Sequence, residues 1–331
     1  MPAPNVFSND QFSMIELTKA VNTMPRLPTR LGDMGLFNAN GLRTTTMWVE
    51  RRDGDLRLIQ TSPRGAPSEQ LLGDKRDALK FDVPHISLES TIYAAEVQDK
   101  RAFGSDSDLE TVQSAVTDRQ ATMRRQIEAT WEHHRVGALR GEILDADGST
   151  IYDLYDEFGQ TQQEATFELS NASTKVRNEC LNVTRTIEDA LGAQAHDGIV
   201  AICGSGFFDS LIDHSDVRDA FARYQNGEML RNDPRQGFPF ANILFMEYRG
   251  KTDDKRFLDP NACYAFPTGT DSFIARYAPG DFWDAVNQIG APIYSRLAVD
   301  GEFQRYARLH MQSNPLFLNT RPNAVVKINA E

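Results

Sequence analysis

The chain has 331 residues, of which 40% are hydrophobic and 25% are charged, and its formal net charge is −12. This composition excludes global disorder, and the length allows one large domain or two to three smaller ones. Acidic residues outnumber basic ones by 47 to 35, which disfavours a protein that grips a phosphate backbone. The three cysteines, Cys180, Cys203 and Cys263, predict neither a disulfide framework nor a C-x-x-C metal site and fit a reducing compartment. We expect no secretory signal and no membrane span.

Residues 1–24 predict a short arm with one amphipathic helix, and the apolar positions of that helix are Phe12, Ile15, Leu17 and Val21. Prolines and glycines then predict irregular structure up to Thr44.

The next stretch predicts a long loop with a hairpin. TTTMWVERR and DLRLIQ flank Asp53-Gly54, a dipeptide typical of two-residue type I′ turns, and residues 62–74 read as a flexible connection. Residues 81–97 predict a return strand that Pro84 interrupts and confines to an edge. The whole stretch from Pro25 to Phe103 has too few apolar residues for a core of its own. Other copies of the same chain are therefore the candidates to cover it.

A long helix follows, capped by Asp106 or Ser107 and free of proline and glycine as far as Val136. About 30 helical residues would span roughly 45 Å. Charged residues, Arg124 and Glu128 among them, are expected on its solvent faces. The apolar stripe is Leu109, Val112, Val116, Met123, Ile127 and Trp131.

The second half of the chain predicts mixed short elements. Residues 142–158 read as a hairpin turning at Ala146–Gly148. An amphipathic helix is expected over residues 174–191, with Val176, Cys180, Val183 and Ile187 on its buried face. Strands are expected at 198–204, 242–250, 262–269, 298–310 and 323–330, and short helices at 207–212 and 216–225. The fold class is α+β, without the regular alternation of a doubly wound sheet.

Two segments offer a nucleophile for catalysis. Gly204-Ser205-Gly206 lies between a strand and a helix but lacks the G-x-S-x-G pattern, so a tight turn is the better interpretation. Cys203 could pair with His196 or His214, yet its apolar strand favours a core cysteine.

Metal and nucleotide sites have even less support. His133 and His134 are adjacent and lie about 100° apart on a helix, whereas zinc ligands favour i, i+4 spacing. Asp253, Asp254 and Asp271 read as solvated loop acids, and no phosphate-binding glycine motif occurs. We therefore expect no catalytic residue, no metal and no cofactor.

Several segments in order carry a resemblance that spans nearly the whole chain: PRLPTRLGDMGLF, TTT-x-W-V-E, SPRGAP, VPHI, RAFGS and NTRPNAVVKI. Together they resemble the lambda-type major capsid proteins of tailed phages, the phage capsid protein E family. The resemblance implies the Hong Kong 97-type capsid fold. It assigns residues 1–43 to an N-arm, 44–98 to an extended E-loop and 196–300 to an A-domain. The P-domain would be residues 99–195 and 301–331, with a spine helix over about 105–140.

By the same resemblance, arm and loop residues contact neighbouring subunits. The expected contact residues are Arg30, Phe37, Trp48, Asp53, Gly54, Arg64, Gly65 and Pro67. Some family members join subunits by lysine–asparagine isopeptide bonds, for which Lys75, Lys80, Asn319 and Asn323 are the residues in the relevant segments. Lambda-type members instead use a decoration protein at three-fold positions, so we expect no such crosslink.

The implied function is that of a major capsid protein of the virion, assembled in the host cytoplasm as hexamers and pentamers of an icosahedral procapsid that expands. The implied partners are further copies of the chain, a scaffold, a head-maturation protease, a portal and a possible decoration protein. The shell would enclose double-stranded DNA without sequence-specific binding, and no membrane contact is implied. Two alternatives stay open at this point. One is a cellular nanocompartment shell of the same fold, and the other is a cytosolic hydrolase built on Cys203 or Ser205.

Overall fold

The structure is a computed structural model, and it describes residues 12–27, 29–52, 76–98, 112–192, 194–223, 234–252 and 255–331. Within these ranges no helix is long and apolar enough to span a membrane. The helices are α1 (Met14–Thr23), α2 (Arg30–Asp33), α3 (Ala94–Val97), α4 (Val112–Arg140), α5 (Leu154–Phe158), α6 (Val176–Leu191), α7 (Ser205–Asp213) and α8 (Ser215–Arg223).

The strands form six sheets in the described part of the chain, with the orders β1-β14-β17, β7-β18-β13-β8-β10-β9, β11-β12, β15-β16-β4, β2-β3 and β5-β6. Their bounds are β1 (Asn38–Gly41), β2 (Thr46–Arg52), β3 (Arg76–Asp82), β4 (Ile86–Tyr93), β5 (Glu142–Leu144), β6 (Thr150–Asp153), β7 (Gln163–Thr166), β8 (Gly198–Cys203), β9 (Phe238–Phe240), β10 (Ile243–Glu247), β11 (Lys251–Thr252), β12 (Lys255–Arg256), β13 (Ala262–Thr268), β14 (Phe273–Tyr277), β15 (Tyr294–Val299), β16 (Tyr306–Ser313), β17 (Pro315–Asn319) and β18 (Val326–Asn329). Helices and sheets coexist without regular alternation, which confirms the α+β class.

The chain divides into two compact units whose boundaries differ from those of the predicted domains, and the domain names stay a prediction. The first unit draws on Met1–Met47, Asp82–Arg135 and Ile274–Phe317, and the second on Trp48–Phe81, Val136–Phe273 and Leu318–Glu331.

The arm is more regular than its prolines and glycines predicted. Helix α1 is confirmed: Leu17 and Val21 are buried, although Ile15 is 75% exposed. The expectation of irregular structure before Thr44 is wrong, because α2 and β1 lie in this stretch. Strand β1 is polar and exposed, and it exists because it pairs in parallel with β14, Asn38 opposite Ile274.

Helix α4 ends at Arg140, as predicted for the spine, and its 29 described residues span about 44 Å. Its predicted start, residues 105–111, lies outside the described residues. Val116, Met123, Ile127 and Trp131 are buried, which confirms the apolar stripe. The expectation that Arg124 and Glu128 face solvent is wrong, since both side chains are buried in a hydrogen-bonded network described below.

The second unit is built on the six-stranded sheet. Its central strand β8 pairs antiparallel with β13 and parallel with β10. Helix α6 packs against the same core through Val176, Cys180, Val183 and Ile187, all buried, which confirms the predicted face. The predicted short helices α7 and α8 and the strands β10, β13 and β18 are also present.

Three predicted strand segments are wrong in part. Residues 94–97 form α3, and residues 154–158 form α5, whose N-cap Asp153 accepts hydrogen bonds from the amides of Tyr155 (2.9 Å) and Asp156 (3.3 Å). The single strand expected over residues 298–310 is two antiparallel strands, β15 and β16. The β5–β6 hairpin is confirmed, with Gly148 at φ +91° in its turn.

The predicted E-loop (44–98) is described at its base only. Strand β2 pairs with β3, and the chain leaves the strand conformation around Pro84 before β4, as predicted. The Asp53-Gly54 turn, its partner segment and the connection at 62–74 lie outside the described residues. Strand β4 is at the edge of its three-stranded sheet, beside β16.

Candidate assembly surfaces

The N-arm is joined to α4 by a buried ionic network. The Glu128 carboxylate accepts hydrogen bonds from the Leu27 amide at 2.6 Å and from Arg124 Nε at 2.8 Å. The Arg124 guanidinium also donates to the carbonyl oxygen of Met24 at 2.7 Å and to that of Val21. Arg124 and Glu128 are each 4% exposed. One side-chain pair thus satisfies three backbone groups of the arm.

A second carboxylate repeats the arrangement one turn further along α4. Glu132, also buried, accepts from the Leu31 amide at 2.9 Å and from Arg135 Nη1 at 3.3 Å. The same Arg135 nitrogen lies 3.4 Å from the Thr29 hydroxyl, to which it donates. Because Glu128 and Glu132 are four residues apart, they share one face of the helix and meet arm amides that are also four residues apart.

The network is stabilising only while it stays complete. Charged groups in a low-dielectric interior are costly unless each is paired and hydrogen-bonded, and removing one member of a buried pair costs about 3–5 kcal/mol. Directional bonds to backbone amides also fix the register of the arm against α4. Met24, Leu27 and Leu31 of the arm are therefore held at a defined position along α4.

The predicted contact residues have different surroundings in the described part of the chain. Arg30 is half-buried in α2. Phe37 packs edge-on against Phe317 of the same chain, with ring centroids 5.6 Å apart. Trp48 is 60% exposed on β2. The remaining five, Asp53, Gly54, Arg64, Gly65 and Pro67, lie outside the described residues.

The base of the E-loop is held at β3. Phe81 is fully buried and packs against Tyr152 and Phe158, at centroid distances of 5.3 and 5.8 Å. Strand β2, by contrast, has β3 as its single partner among the described residues and carries the exposed Trp48. A large aromatic ring is thus presented to solvent on a two-stranded ribbon.

Sequence reasoning missed Glu132 and Arg135 as arm anchors and assigned Arg124 and Glu128 to solvent. A signal was available: three ionic positions at i, i+4 and i+8 (Arg124, Glu128 and Glu132) lie directly beside the apolar stripe. Without knowledge of the arm's path, that pattern is equally typical of an exposed helix face.

The candidate cysteine nucleophile lies in the hydrophobic core. Cys203 is fully buried, and its sulfur lies 3.2 Å from that of Cys263 on the adjacent strand β13. Burial, together with Cys203 itself, raises the pKa of the Cys263 thiol well above its usual value. Burial also raises the pKa of the Cys180 thiol to about 12, so neither thiol ionises at neutral pH.

The serine and histidine candidates do not pair with one another. Gly204 is the N-cap of α7, and a side chain on it would overlap the carbonyl oxygens of Asp259 and Pro260, which explains the glycine of this tight turn. The Ser205 hydroxyl accepts from Arg256 at 3.5 Å. His214 Nε2 lies 3.1 Å from the carbonyl oxygen of Asn171.

A metal site needs several His, Cys, Asp or Glu side chains close together. In the ranges that the structure covers, no group of three or more His, Cys, Asp or Glu side chains could hold a metal ion. Asn319 is fully buried, and its amide oxygen accepts from the Arg321 backbone at 3.0 Å. Lys75 lies outside the described residues.

A sequence profile decides the family. The profile described as "Phage major capsid protein E" matches residues 13–330. The chain belongs to this family.

Two curated relatives agree with the assignment over their full lengths. The major capsid protein of Pseudomonas phage KPP10 is 28% identical, with 98% of each chain covered. The major capsid protein of Salmonella phage Felix O1 is 22% identical, with 97% of each chain covered. The chain is thus a phage major capsid protein, a component of the virion head, and the nanocompartment alternative is not favoured.

Solved structures give the same fold at low sequence identity. The mature capsid subunit of bacteriophage PhiM1 matches with a TM-score of 0.55 and 10% identity over 93% of this chain and 89% of that one. The capsid of an empty GTA particle matches with a TM-score of 0.51 and 11% identity over 93% and 92%. These similarities establish the Hong Kong 97-type capsid fold, and capsid subunits of this fold self-assemble into shells.

Proposed function

We propose that this chain is the shell subunit of an icosahedral procapsid, in which it forms hexamers and pentamers that enlarge into the mature head. Family membership supports the shell role. The N-arm (1–43) and E-loop (44–98) would make the contacts between subunits, through Arg30, Phe37, Trp48, Asp53, Gly54, Arg64, Gly65 and Pro67.

One observation carries the proposal for the E-loop. Trp48 is 60% exposed on a ribbon that has two strands among the described residues. Isolated two-stranded ribbons are marginally stable in water, and large exposed aromatic rings are typical of binding surfaces. A neighbouring subunit would supply the apolar surface that Trp48 lacks among the described residues of its own chain.

The remaining domain roles follow the family. Residues 99–195 and 301–331 would form the P-domain around the spine helix, and residues 196–300 the A-domain at the capsomer centre. The net charge of −12 suits a wall that encloses double-stranded DNA without binding it, because like charges repel. The subunit would have no enzymatic activity and no cofactor. Its further partners would be a scaffold, a head-maturation protease, a portal and possibly a decoration protein at three-fold positions.

Sedimentation velocity and negative-stain microscopy of the purified protein test the proposal. We expect rings, sheets or shells under some conditions of salt and protein concentration. Trp48→Ser should keep the circular dichroism spectrum of the wild type and lower the assembled fraction, whereas Trp48→Phe should retain most assembly. A wild-type protein that never exceeds a hexamer under any condition would contradict the shell function. Equal assembly of Trp48→Ser and wild type would contradict only the role of Trp48.

A further inference from the structure

A second exposed apolar patch lies in the connection between β14 and β15. Trp283, Val286 and Ile289 are 92%, 51% and 61% exposed. They are spaced three residues apart: Trp283 begins a 3-10 turn over residues 283–285, and Val286 and Ile289 follow that turn. We call these three side chains the 283–289 patch. Singly exposed apolar residues are ordinary, but three in one short segment, including a nearly free tryptophan, indicate an interaction surface.

The backbone of this segment is held by its own hydrogen bonds. The Ala285 amide donates to the Phe282 carbonyl at 2.9 Å, and the Gln288 amide donates to the Ala285 carbonyl at 3.1 Å. At the end of the segment, the Gly290 amide donates to the Leu42 carbonyl at 2.7 Å. Ala285 itself is buried and anchors the turn.

Side chains brace the start of the segment as well. The Arg296 guanidinium lies over the Phe282 ring, 5.6 Å from its centroid, and 3.6 Å from the Asp284 carboxylate. The patch is therefore presented in a defined conformation rather than on a chain that must be ordered first. A surface organised in advance loses little conformational entropy when it is covered.

We propose that the 283–289 patch is a contact between copies of this chain, in which Trp283 becomes buried against a neighbouring subunit. The inference rests on the proposed shell function and adds a contact site outside the N-arm and E-loop. Each copy carries a net charge of −12, so copies repel one another at long range. Uncharged apolar side chains are the groups that can hold like-charged copies together without requiring an opposite charge.

The size of the patch fits a repeated contact better than a dimer. A tryptophan side chain can bury roughly 200 Å², whereas a stable pairwise interface buries about 800 Å² on each partner. Three side chains fall short of that area and would not hold two isolated copies together. In a shell, every subunit repeats the same contact, and the many weak contacts act together.

The first experiment compares variants of the full chain. Trp283→Ser should keep the wild-type melting temperature and circular dichroism spectrum, because the side chain has almost no contacts within the subunit. The protein concentration needed for assembly should rise at least about tenfold, as expected for loss of a central aromatic contact. Phe303→Ser is the matched control: Phe303 is 69% exposed and lies outside the N-arm, the E-loop and the 283–289 patch. This control should change the assembly concentration less than about twofold.

A fluorescence measurement tests burial directly. Quenching of tryptophan emission by acrylamide should decrease when the wild-type protein assembles, and Trp283→Phe should assemble with a smaller decrease. Sodium chloride should promote assembly, because it screens repulsion between acidic copies.

The outcomes separate the two proposals. Assembly of Trp283→Ser at wild-type concentration, or wild-type assemblies that are quenched like free subunits, would overturn this inference and leave the shell function intact. Weakening of assembly by salt in the wild type but not in Trp283→Ser would show that the patch meets a basic surface and would also overturn it. Failure of the wild-type protein to assemble at all would overturn both proposals.

Discussion

Replacing Glu128 by glutamine should detach the N-arm from α4, because it removes one charge from the buried network. The carboxylate accepts hydrogen bonds from the Leu27 amide at 2.6 Å and from Arg124 Nε at 2.8 Å. Glutamine has one acceptor oxygen, so one of these two donors must face an NH2 group. Arg124 then keeps its charge in a buried site without a carboxylate partner.

The expected size of the effect follows from these contacts. A hydrogen bond to a charged group contributes about 1.5–3 kcal/mol, and loss of one member of a buried ion pair costs about 3–5 kcal/mol. Arg124 retains its hydrogen bonds to the carbonyl oxygens of Met24 and Val21, so we expect the lower end, about 3 kcal/mol. That free energy corresponds to roughly a hundredfold larger population of the detached arm.

Limited trypsin digestion measures that population. Cleavage after Arg26 or Arg30 requires local opening of the arm, and its rate follows the open fraction when reclosing is fast. Denaturant unfolding of the unassembled subunit measures the global effect. The matched control is Glu164→Gln, which removes a partly exposed ion pair with Lys327 at 3.2 Å. We expect the control to cost less than about 1 kcal/mol and to leave arm cleavage unchanged. Equal cleavage rates in the two variants would refute the anchoring role of Glu128.

Three further predictions concern the scaffold of the subunit. Val116→Pro, at a buried position inside α4, should abolish folding or cost about 3 kcal/mol or more, and a native-like circular dichroism spectrum with wild-type stability would contradict it. Gly204→Ala should destabilise by about 2 kcal/mol, because its methyl group would overlap two backbone oxygens, whereas Gly198→Ala, with no atom nearer than 4.0 Å, should be almost neutral in denaturant unfolding. The pKa of the Cys180 thiol is 9.0 in the unfolded chain, and burial in the folded subunit raises it to about 12. The contribution of this thiol to stability is therefore present below pH 9 and decreases as pH rises toward 12. At pH 10 this loss is about 1.4 kcal/mol, and the unfolding free energy of Cys180→Ala should fall less steeply than that of the wild type between about pH 8 and pH 10.

The elements predicted correctly are those in which local pattern and tertiary environment agree. The face of α6 carries Val176, Cys180, Val183 and Ile187 at helical spacing, and all four are buried. Strand β8 is an uninterrupted apolar run at the centre of a sheet. In both cases burial is uniform along one side, so the period of the sequence directly reports the packing.

The incorrect predictions have two physical causes. Residues 154–158 carry helix signals, an N-cap at Asp153 and a left-handed glycine at Gly159, which local reasoning could have weighed against the strand pattern. Strand β1 carries no such signal: the sequence NANG is polar and exposed, and its conformation comes from pairing with β14, which lies more than two hundred residues away in the chain.

The buried ions of α4 belong to the second kind of error. Arg124 and Glu128 would be exposed on an isolated helix, and they are buried only because the arm passes over them. The exposure of Trp283 is equally hard to predict, because it depends on which other parts of the fold pack near residues 283–289. The pattern of the sequence therefore predicts the family and the main elements, whereas the arm anchor and the 283–289 patch depend on tertiary contacts.

The two kinds of contact in this subunit suit different tasks. Within the chain, Glu128 and Glu132 hold the arm by hydrogen bonds to individual amides, and such bonds lose most of their energy when the donor and acceptor are misaligned. In the proposed contact between copies, the 283–289 patch would offer apolar side chains, whose burial is favourable over a range of relative orientations. In the proposed shell, one sequence occupies non-identical positions in hexamers and pentamers. We therefore infer that directional bonds fix the position of the arm along α4 inside each subunit, while orientation-tolerant apolar contacts accommodate the different angles between subunits.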